Sequence, residues 1–168
     1  LEALDRPVVL SRDASRAARS LGSRAGRVVA WDPLAGPPPA EAFEGVDAVF
    51  HLAGESVAEG RWTAAQKRKE KEAVAAGDLG VRVVTARTGI VLGAGGGALA
   101  RMLLPFKLGA GGPLGNGRQW MPWIHVADLA RLYLHGAENA AVAGPMNAVA
   151  PNPVRNAEFT KALARQLH

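Results

Sequence analysis

The sequence predicts an α/β fold with a parallel sheet, and two observations carry that prediction. Short apolar runs alternate with segments of helical periodicity, the order expected of parallel strands joined by crossovers. One run, Val46 to Leu52 (VDAVFHL), is apolar at nearly every position, as a strand covered on both faces must be. The 168 residues suffice for a domain with a real core, and 48% hydrophobic against 21% charged residues is an ordinary globular balance.

The elements follow in order. Pro7 to Leu10 is a buried-strand candidate ended by Ser11-Arg12-Asp13, and Ala14 to Leu21 reads as a helix closed by Gly22. Arg27 to Trp31 is a second strand, broken by Asp32-Pro33 and the loop Gly36-Pro37-Pro38-Pro39. Ala40 to Phe43 is one helical turn. Val46 to Leu52 is the third strand, with His51 packed in it, and it ends at Ala53-Gly54-Glu55. Trp62 to about Ala76 has helical composition but is polar on nearly every face, so it is either solvent-exposed or a junction of two different segments.

Val81 to Leu92 is the fourth strand region, followed by the flexible loop Gly93–Gly97. In Ala98 to Leu108, residues Leu99, Met102, Leu103 and Phe106 recur at helical spacing, and Pro105 is expected to bend the helix. After a glycine-rich stretch and two tryptophans, Val126, Leu129, Ala130, Tyr133 and Ala137 give the next helix its apolar face. Met146 to Val149 is a last strand. Asn156 then stands where an N-cap is expected, before a helix carrying Phe159, Ala162, Leu163 and Leu167. There is no internal repeat.

Composition narrows the function classes. The formal net charge is +5, with arginines scattered through the first third and a short run at Lys67, Arg68, Lys69 and Lys71. Aromatic residues are only 5% and none interleaves that run, so it reads as a solvated face and not a nucleic-acid patch; a few arginines could instead serve an anionic cofactor. No apolar run has the length of a membrane helix, and no signal-peptide pattern opens the chain, so neither a membrane nor a nucleic-acid partner is expected. Cysteine is absent, which excludes disulfides and thiolate metal sites and fits a cytoplasmic location. No histidine pair has metal-ligand spacing.

In a parallel sheet, ligands gather beyond the carboxyl ends of the strands. That places Ser11-Arg12, Trp31-Asp32 and Ala53-Gly54-Glu55 under suspicion. An arginine at a strand's carboxyl end suits the 2′-phosphate of NADP, because its planar fork matches phosphate oxygens; a surface arginine is the alternative. Small residues after a buried strand let a ligand approach the backbone, or simply make a turn. No glycine-rich dinucleotide fingerprint precedes the first strand–helix unit, and no P-loop is present. Acid–base candidates are Glu55, His125, Asp128 and Tyr133. Tyr133 lacks a lysine four residues on, where Ala137 stands, and lies on an apolar helix face. Trp120 and Trp123 either wall a pocket or pack a core.

A family resemblance rests on LSRD at Leu10–Asp13, VAWDP at Val29–Pro33, HLAGE at His51–Glu55, and RW at Arg61–Trp62. It continues through RTGIVLG at Arg87–Gly93, LLPFKLGAGGPLGNGRQWMPWIHVADLARL at Leu103–Leu132 and NAVAPNPVRNAEF at Asn147–Phe159. In order and over nearly the whole chain, these resemble the atypical extended short-chain dehydrogenase/reductases of the NAD(P)-dependent epimerase/dehydratase superfamily. The nearest likeness is to their sugar-nucleotide-epimerase-like (SulA-like) subgroup.

The resemblance implies a Rossmann-type doubly wound parallel sheet with a small C-terminal substrate-side region. Residues 1–93 would form the NADP-binding part, and 94–168 the substrate-side loops and helices, partly packed on it. It implies NADP(H) in preference to NAD(H), held by Ser11 and Arg12 at the adenosine 2′-phosphate and by Leu52, Ala53, Gly54 and Glu55 along the ribose and diphosphate. It places Gln119, Trp120 and Trp123 on the substrate side. The family pattern also has a first strand with its glycine-rich turn, a middle segment where a Tyr-x-x-x-Lys pair would lie, and a C-terminal extension, none matched in this sequence. The 168 residues are therefore expected to be part of a longer chain, with a break near residues 70 and 71. No catalytic residue is assigned and no metal is expected. The implied function is an epimerase or oxidoreductase acting on a nucleotide sugar or a small carbonyl compound, or else a non-catalytic NADP(H)-binding regulatory module; an oligomer is possible.

Overall fold

The structure, a computed structural model, describes residues 4–33, 35–52 and 75–167. Ala53, Gly54, Glu55, the polar Trp62 segment, the basic run and the 70/71 junction lie outside the described residues. The chain divides into two compact units, Leu1–Glu59 and Gly60–His168. Among the described residues no helix is long and apolar enough to cross a membrane.

The first unit is a strand–helix–strand unit. Strands β1 (Val8–Ser11) and β2 (Arg27–Ala30) pair in parallel, Val8 opposite Arg27 and Ser11 opposite Ala30. Helix α1 (Ala14–Leu21) connects them. It starts where a carboxylate can satisfy a free helix N–H: the Arg16 N–H donates to Asp13 Oδ1 at 2.8 Å. It stops at Gly22, whose φ of 54° lies in the left-handed region. The Arg24 guanidinium donates to the last-turn carbonyls of Ser20 and Leu21, where a cation also complements the helix dipole. After β2 the chain turns at Asp32, and the Trp31 indole N–H donates to the Gly36 carbonyl at 3.0 Å. Ala40–Phe43 forms one 3-10 turn, as the sequence predicts.

The predicted third strand is corrected. Val46–Leu52 forms no strand, and His51, expected to be packed, is exposed. Val49 is 64% and Leu52 68% exposed. Apolar composition makes a segment suitable for a buried strand, but a strand exists only through ladder hydrogen bonds to a neighbour. β1 pairs with β2 alone, and no described strand pairs with 46–52.

The second unit holds β3 (Val84–Thr88), β4 (Ile90–Leu92), helix α2 (Gly97–Lys107), β5 (Trp120–Met121) and β6 (Trp123–His125). It continues with helix α3 (Val126–Glu138), β7 (Gly144–Ala148), β8 (Val154–Arg155) and helix α4 (Asn156–Leu167). β3 pairs with β7 and β4 with β6, both in parallel; β5 and β8 pair antiparallel. The single strand region expected over 81–92 is in fact two strands. At Gly89 the chain changes partner: the Gly89 N–H donates to the Ala148 carbonyl at 3.1 Å, and the Ile90 N–H to the Pro122 carbonyl at 2.7 Å. Ile124, 2% exposed, and Ala148, fully buried, anchor this core.

Helix α3 lies against β3, with Gly136 buried where a Cβ would make an ordinary contact, 3.5 Å, with Val84. Arg82 ties the end of that helix down by donating to the carbonyls of Gly136, Ala137 and Val142. Helix α2 runs through Pro105 and closes at Gly109 in a Schellman arrangement. The Ala110 N–H donates to the Pro105 carbonyl (2.9 Å) and the Gly109 N–H to the Phe106 carbonyl (3.0 Å). Gly109 holds a φ of 72°. Replacing it with alanine should lower stability by about 1–2 kcal/mol, the cost of a Cβ in that region, measured as a shift in the urea midpoint at constant slope.

Candidate functional site

Two regions carry the candidate residues, one in each unit. In the first, Ser11 is the last residue of β1, and Arg12 begins the turn into α1. The turn is held locally. The Ser11 hydroxyl donates to the Asp13 carbonyl at 3.2 Å and accepts the Asp13 N–H at 3.3 Å. The Asp13 carboxylate is engaged as the helix cap, while Arg12 and Arg16 are exposed at the same helix start. The turn thus presents two guanidinium groups to solvent, and its acidic residue is turned back onto the helix. That donor set suits a dianionic phosphate better than a ribose hydroxyl pair, which an acceptor would bind. Of the loop expected along the ribose and diphosphate, only Leu52 is described, and it is exposed.

The second region is built on the short β5–β8 ribbon and on the loop between α2 and β5. In the ribbon Trp120 stands opposite Arg155, and Met121 opposite Val154. Alternation along a strand puts these two pairs on opposite faces. On one face the Arg155 guanidinium stacks 3.9 Å from the centroid of the Trp120 ring, and its Nη1 donates to the Arg118 carbonyl. Trp120 is 56% exposed. On the other face Met121 is buried. There Val154 joins Leu92, Trp123, Glu158, Phe159 and Ala162 around an open cavity of about 440 Å³. Trp123 therefore walls the cavity, whereas Trp120 is not among its lining residues. Gln119 turns inward on its own loop, its side-chain N–H donating to the Leu114 carbonyl at 3.0 Å.

Asn156 organises this region in a way the sequence does not announce. It is fully buried, and its Oδ1 accepts the Leu114 N–H at 2.7 Å, 42 positions away. The N-cap expectation for Asn156 is corrected. Helix α4 already includes it, and the helix start is closed instead by Glu158, whose carboxylate accepts the Arg155 N–H at 3.1 Å, one half of a capping box. The next two free N–H groups of the helix, those of Asn156 and Ala157, donate to the Gln119 and Gly117 carbonyls. An asparagine at a helix start carries the same signature whether it caps its own helix or fastens a distant loop. Phe159 and Ala162 were legible only as apolar helix positions; their i, i+3 spacing was the available signal that they share a face.

Of the acid–base candidates, Glu55 lies outside the described residues, and His125 and Asp128 have structural partners. The His125 Nδ1 accepts the Ala127 N–H at 3.2 Å, so His125 caps α3. Asp128 pairs with Arg131 at 2.8 Å in the first turn of that helix. Tyr133 is partly buried on α3.

Parallel strands joined through helices are the parts of a Rossmann-type α/β protein. The family model described as "NAD dependent epimerase/dehydratase family" matches residues 64–149, and the chain belongs to that family. The chain is 50% identical over 99 residues to the epimerase family protein YfhF of Bacillus subtilis, covering 59% of this chain and 32% of the relative. It thus spans about a third of that relative's length. Among solved structures it resembles human epimerase family protein SDR39U1 (isoform 2) with NADPH, at a TM-score of 0.58 and 25% identity, covering 94% of this chain and 80% of that one. It also resembles the nucleoside-diphosphate sugar epimerase of Corynebacterium glutamicum, at a TM-score of 0.69 and 25% identity, covering 98% and 51%.

Proposed function

We propose that the chain is part of an NADP(H)-dependent oxidoreductase or epimerase-like enzyme, with Ser11 and Arg12 at the adenosine 2′-phosphate. The observation that carries this reading is the β1–α1 turn, where exposed Arg12 and Arg16 flank a helix start whose own aspartate is committed to capping. A relative solved with NADPH supports it. Leu52, with Ala53, Gly54 and Glu55, would line the ribose and diphosphate, and Trp123 the substrate side. When bound, NADPH supplies a hydride. This chain's residues bind and orient the cofactor, and no proton donor is assigned. The substrate is a small molecule, and the protein is proposed to be cytoplasmic.

A second reading is a non-catalytic NADP(H)-binding regulatory module, with the nucleotide as a regulatory ligand. Titration with NADPH and NADH followed by nucleotide fluorescence tests the shared claim. NADPH should bind at least about tenfold more tightly than NADH, and Arg12→Ala should remove most of that difference, since a charge-assisted contact is worth about 1.5–3 kcal/mol. Equal binding of the two nucleotides, or an unchanged preference in the variant, refutes the Arg12 assignment.

A further inference from the structure

We infer that the cavity of the second unit binds an uncharged, apolar carbonyl compound and not a nucleoside-diphosphate sugar. The inference rests on the NADP(H)-dependent reading above and names the substrate class for it.

Among the described residues the walls are Leu92, Trp123, Val154, Phe159 and Ala162, with Glu158 the sole ionisable one. Its volume of about 440 Å³ falls in the range of small-ligand sites, about 300–1,000 Å³. A diphosphate needs cations or free backbone N–H groups, and the start of a helix is the usual source of the latter. Helix α4 borders this cavity, yet its first donors are spent. The Arg155 N–H goes to the Glu158 carboxylate, the Asn156 N–H to the Gln119 carbonyl, and the Ala157 N–H to the Gly117 carbonyl. Among the described residues no cation lines the cavity, and Arg155, next to Val154, is held on the other face of the ribbon by Trp120 and the Arg118 carbonyl. What faces a ligand is therefore two aromatic rings and aliphatic side chains, the Glu158 carboxylate being engaged by the Arg155 N–H. Trp123 and Phe159 offer ring contacts to a flat apolar body.

The test uses the full-length protein that contains these 168 residues, 2-acetonaphthone as the apolar ketone and UDP-glucose as the nucleotide sugar, both followed by NMR and calorimetry. The ketone should bind and show intermolecular NOEs to the Trp123 indole and the Phe159 ring. Ala162 is exposed at the cavity's edge, so Ala162→Trp can occlude the cavity without disturbing the core; it should weaken ketone binding by roughly tenfold or more. UDP-glucose should give no NOE to these rings. Ketone binding without NOEs to Trp123 and Phe159, no ketone binding, or UDP-glucose binding that Ala162→Trp weakens would each overturn the inference. NADPH titration of the same samples keeps the two claims apart. Loss of NADPH binding with the ketone still in the cavity sinks the cofactor reading alone; NADPH binding with an empty cavity sinks this one alone.

Discussion

Asn156→Leu is expected to destabilise the protein by roughly 2–4 kcal/mol, although the two side chains have similar size. Asn156 is fully buried, and its Oδ1 accepts the Leu114 N–H at 2.7 Å, while its Nδ2 donates to the Met121 sulfur at 3.6 Å. A leucine makes neither bond. The Leu114 N–H, part-buried at this contact, would then lose its acceptor, and an unsatisfied polar group costs about 1–3 kcal/mol. The effect should also be local. Leu114 belongs to the loop whose Gly117 and Gln119 carbonyls receive the first N–H groups of α4. Amide exchange at Leu114, Gly117 and Ala157 should therefore accelerate more than exchange in β3 and β7. A urea-derived loss below about 1 kcal/mol, or uniform acceleration across the second unit, would show that the loop is fastened by something else.

What the sequence made legible, and what it did not, divides along the range of the interactions concerned. The β1–α1–β2 unit was readable because its signals are local. Asp13 caps a helix three residues on, Gly22 ends it, and Asp32-Pro33 breaks β2. Helices α2, α3 and α4 were readable for the same reason, since apolar residues at helical spacing persist over several turns. The error at Val46–Leu52 is of the other kind. Its apolar pattern is a statement about burial, and the ladder that would make it a strand depends on a neighbour that local pattern cannot supply. Asn156 and the division of strand 81–92 fail alike. One rests on a bond across 42 positions, the other on Pro122 and Ala148 competing for adjacent N–H groups. At the candidate site, Arg12 could be placed by its position after a strand. The placing of Trp120 and Trp123 could not, because it follows from the pairing of β5 with β8, which brings Arg155 over one ring and Val154 beside the cavity that the other lines.

Gly89→Ala is expected to cost at least about 3 kcal/mol, and Gly89→Val should prevent folding of the second unit. A Cβ at Gly89 would stand 2.6 Å from the Pro122 carbonyl oxygen, 2.9 Å from its carbon and 3.0 Å from a Val149 methyl. Two of these are backbone atoms of the residue between β5 and β6, so no side-chain rotation relieves the clash. That same Pro122 oxygen accepts the Ile90 N–H at 2.7 Å, which begins the pairing of β4 with β6. Pushing it away breaks the bond that makes the chain change partners, and overpacking against an immovable wall costs more than the ordinary 1–3 kcal/mol for an added methyl group. Gly112→Ala is the matched control: nothing lies within 4 Å of its Cβ, and the residue is exposed, so stability should change by no more than about 0.5 kcal/mol. Equal urea midpoints for the two alanine variants would mean that β3 and β4 behave as one continuous strand. A large loss confined to Gly89 would place the junction of β3–β7 and β4–β6 pairing at this residue. That junction sets Ile90 opposite Trp123 and Leu92 opposite His125, so the places of Leu92 and Trp123 in the cavity wall depend on a glycine that is not itself among the lining residues.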